Sequence, residues 1–290
     1  YEYCDLPAAQ PAEWLAGEAR EGARIGYDPW LHTQGWVVKT RETLAAKGVA
    51  LIAVESNPVD AVWCDRPSPS LAPAVAHSLE YAGKAHEEKI ADIAAWLKAR
   101  GSDAVVLSAL DSIAWALNIR GSDVARTPVT LSYAVAKADG TVDLFIAAEK
   151  ITAELRTHLG NRVAIRDREG FARALSTEYA GRMVAADPER AVAAIFEALS
   201  VSGATVAAVH DPVVLTKATK NATEIAGHDA AQLRDNAALV RFLHWISSAG
   251  PRGTETELSA AAKLQSFREQ TGLLVDLSFD TISGAGPNGA

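Results

Sequence analysis

Cysteine is nearly missing from the 290 residues. Cys4 and Cys64 lie far apart and form no C-x-x-C pair, so the sequence supports neither a zinc cage nor a redox dithiol, and a reducing compartment is the simpler expectation. Positive charge is also in short supply. Against 36 acidic residues stand 28 basic ones, and without a basic stripe or tail the chain offers phosphate backbones and anionic membranes little attraction. Neither nucleic acid nor membrane is expected as a partner. No stretch approaches the roughly 18 uninterrupted apolar residues of a membrane span. The opening YEYCDLP lacks the basic and apolar regions of a signal peptide, which makes a cytoplasmic location the expectation. An initiator methionine is missing as well, and the chain stops at Ala290 on a glycine turn, so it reads as a piece of something longer.

The familiar signatures of catalysis are missing too. Histidines stand at 32, 77, 86, 158, 210, 228 and 244, but none belongs to H-E-x-x-H or to a zinc-ligand run. No G-x-S-x-G elbow supplies a hydrolase serine. His244, beside Trp245 on a helical pattern, could serve as an acid or base, yet it has no identifiable partner and reads more simply as a packed or surface histidine. His228 and Gln232 are one helical turn apart, a commonplace spacing that favours solvent exposure. The carboxylates Asp229 and Asp235 read as part of a solvated face.

One motif is present in spelling. Gly284, Gly286 and Gly289 in SGAGPNGA form a G-x-G-x-x-G, and a plausible strand, 275–282, precedes it. The dinucleotide fingerprint needs a helix to follow, aiming its N-terminus at a pyrophosphate. Only Ala290 follows, so a nucleotide-binding oxidoreductase has no support and a strand-end turn is the better reading.

What the sequence does contain is alternation. With 49% hydrophobic and 22% charged residues it is ordinary for a globular protein, and its length favours two domains, with room for part of a third. RIGYDPWLHT (24–33) predicts a strand, an Asp-Pro turn and a helix with Pro29 in its first turn. VALIAV (49–54) is strand-like, and DRPSPSLAPA (65–74) is the best linker. Residues 86–100 place Ile90, Ile93, Ala94 and Leu97 on one helical face, with Gly101 as a stop. AVVLSAL (104–110) reads as a buried strand, 111–117 as a short helix capped by Asp111, and 130–147 as a hairpin around Asp139-Gly140. Segments at 151–159, 163–166, 188–200 and 204–209 alternate helix-like and strand-like, pointing to an α/β layer. Residues 219–249 form one long helical pattern opened by Asn221-x-x-Glu224, with an apolar stripe from Ile225 to Ile246. Thr254-x-x-Glu257 predicts the cap of a second helix to about Gln270.

The most distinctive polar cluster is LNIRGSDVARTP (117–128). Arg120 could bind a substrate carboxylate in bidentate fashion with Asp123 orienting it. The simpler reading has Asp123 capping a turn and pairing with Arg120.

ALDSIAWALNIRGSDV (109–124), KATKNATEIAGHDAAQLRD (217–235), TETELSAAAKLQSFR (254–268) and DLSFDTISGAGPNGA (276–290) together resemble the Xaa-Pro aminopeptidases of the long, three-domain aminopeptidase P type. The likeness extends to GYDPWLHT and VWCDRPSPS, covering essentially the whole chain. The resemblance implies two related creatinase-like N-terminal α/β domains and a pita-bread α/β catalytic domain. It places residues 1–80 in the last part of the first domain with its linker, 81–212 in the second, and 213–290 at the opening of the third. It implies release of an N-terminal residue that precedes proline, by a water held between two divalent ions, usually manganese, in a homodimer. The family's ligands, two Asp, one His and two Glu, fall beyond GPNGA, so the resemblance assigns no catalytic residue and no metal ligand within 1–290. The fragment alone is expected to be inert as a peptidase. A non-catalytic creatinase-like module that binds peptides or serves dimerisation is the alternative. Two positions depart from the family pattern: Arg126 where relatives often have His, and Gln232 where an Ala-His pair is common.

Overall fold

The computed structural model describes Tyr3 and residues 10–289, so Cys4 falls outside the described residues. Helix α1 (Pro11–Glu18) leads to strand β1 (Arg24–Tyr27), which ends in the Asp28-Pro29 turn. Asp28 accepts from the Trp30 N–H at 2.8 Å, closing the turn locally. Pro29 does not open a helix as its position predicts. The backbone of 29–32 is used for pairing elsewhere, and α2 (Gln34–Ala45) starts behind Thr33, whose hydroxyl accepts from the Trp36 N–H. Strand β2 (Ala50–Ala53) then pairs parallel to β1, Arg24 opposite Ala50. A short helix, α3 (Pro58–Val62), precedes the proline-rich stretch, which is irregular up to the two-residue strand β3 (Val75–Ala76).

The larger unit follows. Helices α4 (Leu79–Ala82) and α5 (His86–Ala99) lead to β4 (Ala104–Leu107), α6 (Leu110–Ala116) and β5 (Ile119–Arg120). Next come the hairpin β6 (Ser132–Lys137) and β7 (Val142–Ile146), then α7 (Ala153–Leu159), β8 (Val163–Arg166), α8 (Phe171–Thr177), β9 (Met183–Ala186), α9 (Ala193–Val201) and β10 (Thr205–Ala208). Among the described residues these strands form a six-stranded mixed sheet in the order β10-β9-β4-β6-β7-β8, while β5 pairs antiparallel with β3. The architecture is the α/β class expected from the alternation.

Burial explains the order. Every residue of β4 and β7 is buried, as central strands covered on both faces require. On one face Ile90, Ile93 and Leu97 of α5 and Leu155 and Leu159 of α7 pack on Val105, Leu107 and Leu144. On the other, Phe171 and Leu175 of α8 and Ile195 and Leu199 of α9 pack on Val106, Val135 and Phe145. Each such side chain contributes about 1.5–3 kcal/mol of transfer free energy. The hairpin turns where expected: Asp139 accepts from the Thr141 N–H, and Gly140 takes φ 83. Gly101, at φ 65, stops α5.

Beyond the sheet lie α10 (Val213–Ala218), the long α11 (Ala222–Ala249) and α12 (Glu257–Glu269). The α11 capping box forms as the sequence predicts: Asn221 accepts from the Glu224 N–H and Glu224 accepts from the Asn221 N–H, both at 2.9 Å. Three local expectations are corrected. Asp111 does not cap α6, which begins one residue earlier, and its carboxylate pairs with Lys217 of α10. Thr254 and Glu257 do not form the α12 box. Thr256 and Ser259 do, freeing Glu257 to bind a distant loop. Finally, 275–282 forms no strand, because no neighbouring strand meets its backbone among the described residues and side chains such as Val275 and Ile282 stand in solvent.

Candidate functional site

The 117–131 segment is where the polar chemistry of the α/β unit collects. Asn118 takes φ 50, an αL conformation that asparagine tolerates better than most residues. From there its amide donates to the Lys84 carbonyl at 2.9 Å and its Oδ1 accepts from Lys89 Nζ at 2.7 Å. Lys89 is buried, donates also to the Trp115 carbonyl at 3.0 Å, and lies 4.0 Å from the centre of the Trp115 ring. Among the described residues no carboxylate lies within ion-pair distance of it. Burial pulls its pKa down to about 8, and Arg120 and Lys84 act in the same direction against Glu224. His77 is held at about 4, first by burial and then by the positive charges of Arg120 and Lys89.

Arg120 and Asp123, the two candidate substrate-binding residues, are not brought together as a pair. The Arg120 guanidinium turns onto the carbonyls of Ala114 and Ile119, at 3.1 and 2.9 Å. Asp123, its side chain fully enclosed, takes both oxygens to Lys150 Nζ at 2.6 and 2.7 Å. It also accepts from Thr130 Oγ1 and the Leu131 N–H. Lysine 150 lies in sequence too far from the motif for spacing to reveal it as the partner. The sequence signal that was available is the unusual demand of a buried Asp for a cation.

The start of α11 is fastened to this region. Asn221 Nδ2 donates to the Ala82 carbonyl at 2.8 Å, and Gly83, at φ 67, lets the helix approach so closely that a Cβ there would stand 2.5 Å from Asn221 Oδ1. Further along, α11, α12 and the 273–282 segment enclose an open cavity of about 620 Å³ lined in part by His228, Gln232, Asp235, Arg268 and Phe279. Asp235 is not merely solvated: it receives Arg268 Nε at 2.6 Å and Nη2 at 3.1 Å, joining the two helices. Gln232 bonds Asn236 along its own helix, and His228 and His244 are exposed. The glycine turn forms a 3-10 turn at Gly286–Gly289, with Ala285 N–H and Asn288 Nδ2 donating to Glu257 at 2.6 and 3.1 Å.

Among the described residues no group of three or more His, Cys, Asp or Glu side chains is arranged to hold a metal ion. The residues present therefore do not fit a two-metal centre. His86 and His158 lie ring to ring, their centroids 4.6 Å apart, but among the described residues no third ligand joins them. Asp123, Asp235, Asp276 and Asp280 are already committed to Lys150, Arg268 and Arg126.

Residues 65–224 match the family model of the creatinase/prolidase N-terminal domain. The chain belongs to that family. This creatinase/prolidase N-terminal unit spans the whole six-stranded sheet and the fastening to α11. Over 96% of its length the chain is 38% identical to proteins described as probable Xaa-Pro aminopeptidases P in Aspergillus niger and Aspergillus flavus, covering 47% and 44% of them. It superposes with a TM-score of 0.86 on the X-prolyl aminopeptidase of Caenorhabditis elegans, a cytosolic enzyme with a di-nuclear active site, at 32% identity over 96% of this chain and 46% of that one. The chain thus spans about half the length of the relatives it matches. Among the described residues no helix is long and apolar enough to cross a membrane.

Proposed function

We propose that this chain is an internal part of a cytosolic Xaa-Pro aminopeptidase, which hydrolyses the bond between an N-terminal residue and a following proline. Identity of 38% over 96% of the chain, carried through the sheet, α11 and α12 alike, is the observation that supports it. Under this reading residues 1–80 close a first creatinase-like domain, 81–212 form the second, and 213–290 open the catalytic domain. The parent protein is a homodimer that uses two divalent ions, manganese by preference, held by residues outside 1–290. No step of the hydrolysis is assigned to a side chain of this chain, since among the described residues the carboxylates and histidines form no group that could hold a metal.

The same observation favours a second reading, a non-catalytic creatinase-like module that binds peptides or supports dimerisation. Assay separates them. Residues 1–290 supplied with manganese and an Xaa-Pro peptide are expected to show no turnover, whereas the full-length protein cleaves it. Turnover by residues 1–290 overturns the placement of the ligands, and an inert full-length protein overturns the enzyme reading.

A further inference from the structure

We propose that Arg126 is a positioning residue that sets where the 276–289 segment, with its glycine turn, lies against the second α/β unit. The inference rests on the aminopeptidase reading for its functional consequence, though not for its geometry. Arg126 sits at φ 61, a left-handed conformation that few non-glycine residues adopt, in a tight turn closed by the Thr127 N–H to Val124 carbonyl bond at 3.1 Å. From that turn its guanidinium reaches two carboxylates more than a hundred residues away. Nε and Nη2 both donate to Asp280 Oδ1, at 3.1 and 3.0 Å, and Nη1 donates to Asp276 Oδ1. Asp276 Oδ1 also accepts the Leu277 N–H at 2.7 Å, which orients the carboxylate for the arginine.

The segment has little else to place it. Among the described residues it forms no strand, Phe279 and Ile282 are exposed, and its other polar anchor is Glu257 at the start of α12, which holds Ala285 and Asn288. Arg126 fixes the near end to the sheet unit and Glu257 fixes the far end to the helices. A planar fork can hold both aspartates at once, which a single ammonium cannot do with equal geometry. When the segment is ordered a smaller fraction of the time, the apparent affinity of anything that needs it ordered falls by that fraction, while turnover at saturation is unaffected.

Hydrogen exchange on a millisecond timescale tests the geometry with residues 1–290. Arg126→Ala and the pair Asp276→Asn with Asp280→Asn are each expected to speed exchange across 273–289 on the order of fivefold, as for exposed ion pairs. Combining all three should add little, because both changes remove the same contact. Peptides from β6 and β7 should not change. Unchanged exchange at 273–289, or fully additive effects, overturns the proposal. In the full-length protein, Arg126→Ala should raise KM for an Xaa-Pro peptide by a similar factor with kcat within about twofold, and Arg126→Lys should recover part of the loss. A fall in kcat at unchanged KM overturns the positioning role. Should the full-length protein cleave no such peptide, the aminopeptidase reading falls while the exchange result still decides the geometry.

Discussion

Thr33 and Val192 face each other across an antiparallel bridge, and they are the same position of two copies of one structural unit. One offset in sequence relates Asp28 to Asp187, Pro29 to Pro188 and Thr33 to Val192. Each unit is a strand, an Asp-Pro turn, a helix and a second strand parallel to the first. In both turns the Asp side chain accepts the N–H two residues on, from Trp30 at 2.8 Å and from Glu189 at 2.9 Å. The contacts between the units repeat in the same way. Gln34 donates to the Ala191 carbonyl and Ala193 to that of His32, while Gly35 donates to Pro188 and Ala194 to Pro29. The first unit therefore docks on the second by a local two-fold relation, with Ala193 buried among Tyr27, Val37 and Leu44.

Proline tests that docking without disturbing the helices. Gln34 and Ala193 are each the first residue of a helix, where proline is favoured and the N–H has no helical partner. The residues before them are already extended, at ψ 154 and ψ 155, as a following proline demands. Their N–H groups are spent on the other unit. Gln34→Pro and Ala193→Pro are each expected to cost about 1–2 kcal/mol in urea unfolding, from the lost bond and the orphaned carbonyl. If either leaves stability unchanged, the paired bonds do not hold the units together.

Much of the fold was legible because burial and turn chemistry are local properties. The α5 stripe of Ile90, Ile93, Ala94 and Leu97, the Asp139-Gly140 hairpin and the Asn221–Glu224 box all came through as predicted. What stayed hidden depends on partners far away in sequence. The two-fold relation left two short Asp-Pro signals after apolar strands, too little to declare a repeat. Asp123 pairs with Lys150, Asp111 with Lys217 and Glu257 with the glycine turn, and no spacing rule connects those pairs. The strand expected at 275–282 failed for a related reason: apolar alternation proposes a strand, but only a neighbouring backbone makes one.

Asp123 gives an acid-side prediction. Burial alone would raise its pKa, but the hydrogen bonds from Lys150, the Leu131 N–H and Ser70 outweigh it and hold the carboxyl below its ordinary value of 3.8. A carboxyl depressed in the folded state stabilises above the unfolded pKa, and that contribution is lost as pH falls below about 4. Urea unfolding between pH 5 and 2 should show this loss, and Asp123→Asn should flatten it. Lys150→Met, which strands the enclosed carboxylate, should cost about 3–5 kcal/mol at pH 7. A cost near zero would mean that water reaches Asp123.

The approach at Gly83 makes a second stability prediction. Its φ of 67 already disfavours any side chain, and a Cβ would meet Asn221 Oδ1 at 2.5 Å and Thr223 Cβ at 2.7 Å. Gly83→Ala is expected to cost more than about 1 kcal/mol and to push the first turn of α11 away. Asn221→Ala removes the cap and the bond to Ala82 together, for about 1–2 kcal/mol. Because both changes act on one contact, the double variant should cost less than their sum. Strict additivity in thermal unfolding would separate the close approach from the cap.

Lys89 gives a prediction on the alkaline side, with the opposite sign to an ordinary ion-paired lysine. Its folded pKa of about 8 lies below the ordinary value of 10.5, so the folded state releases the proton first. Below pH 8 both states carry the charge and folding bears the full cost of burying it. Between about 8 and 10.5 the unfolded chain binds more protons than the folded one, and stability contributed by this group must rise with pH. The charges facing it are Arg120 and Lys84, which push in the same direction, and Glu224, which opposes them. Lys89→Met keeps most of the aliphatic stem but removes the ammonium that lies over the Trp115 ring, so the rise should vanish from the difference between the two stability curves. A Lys89→Met protein whose stability still climbs with the wild-type slope from pH 8 to 10 would show that the buried ammonium is not the group that titrates.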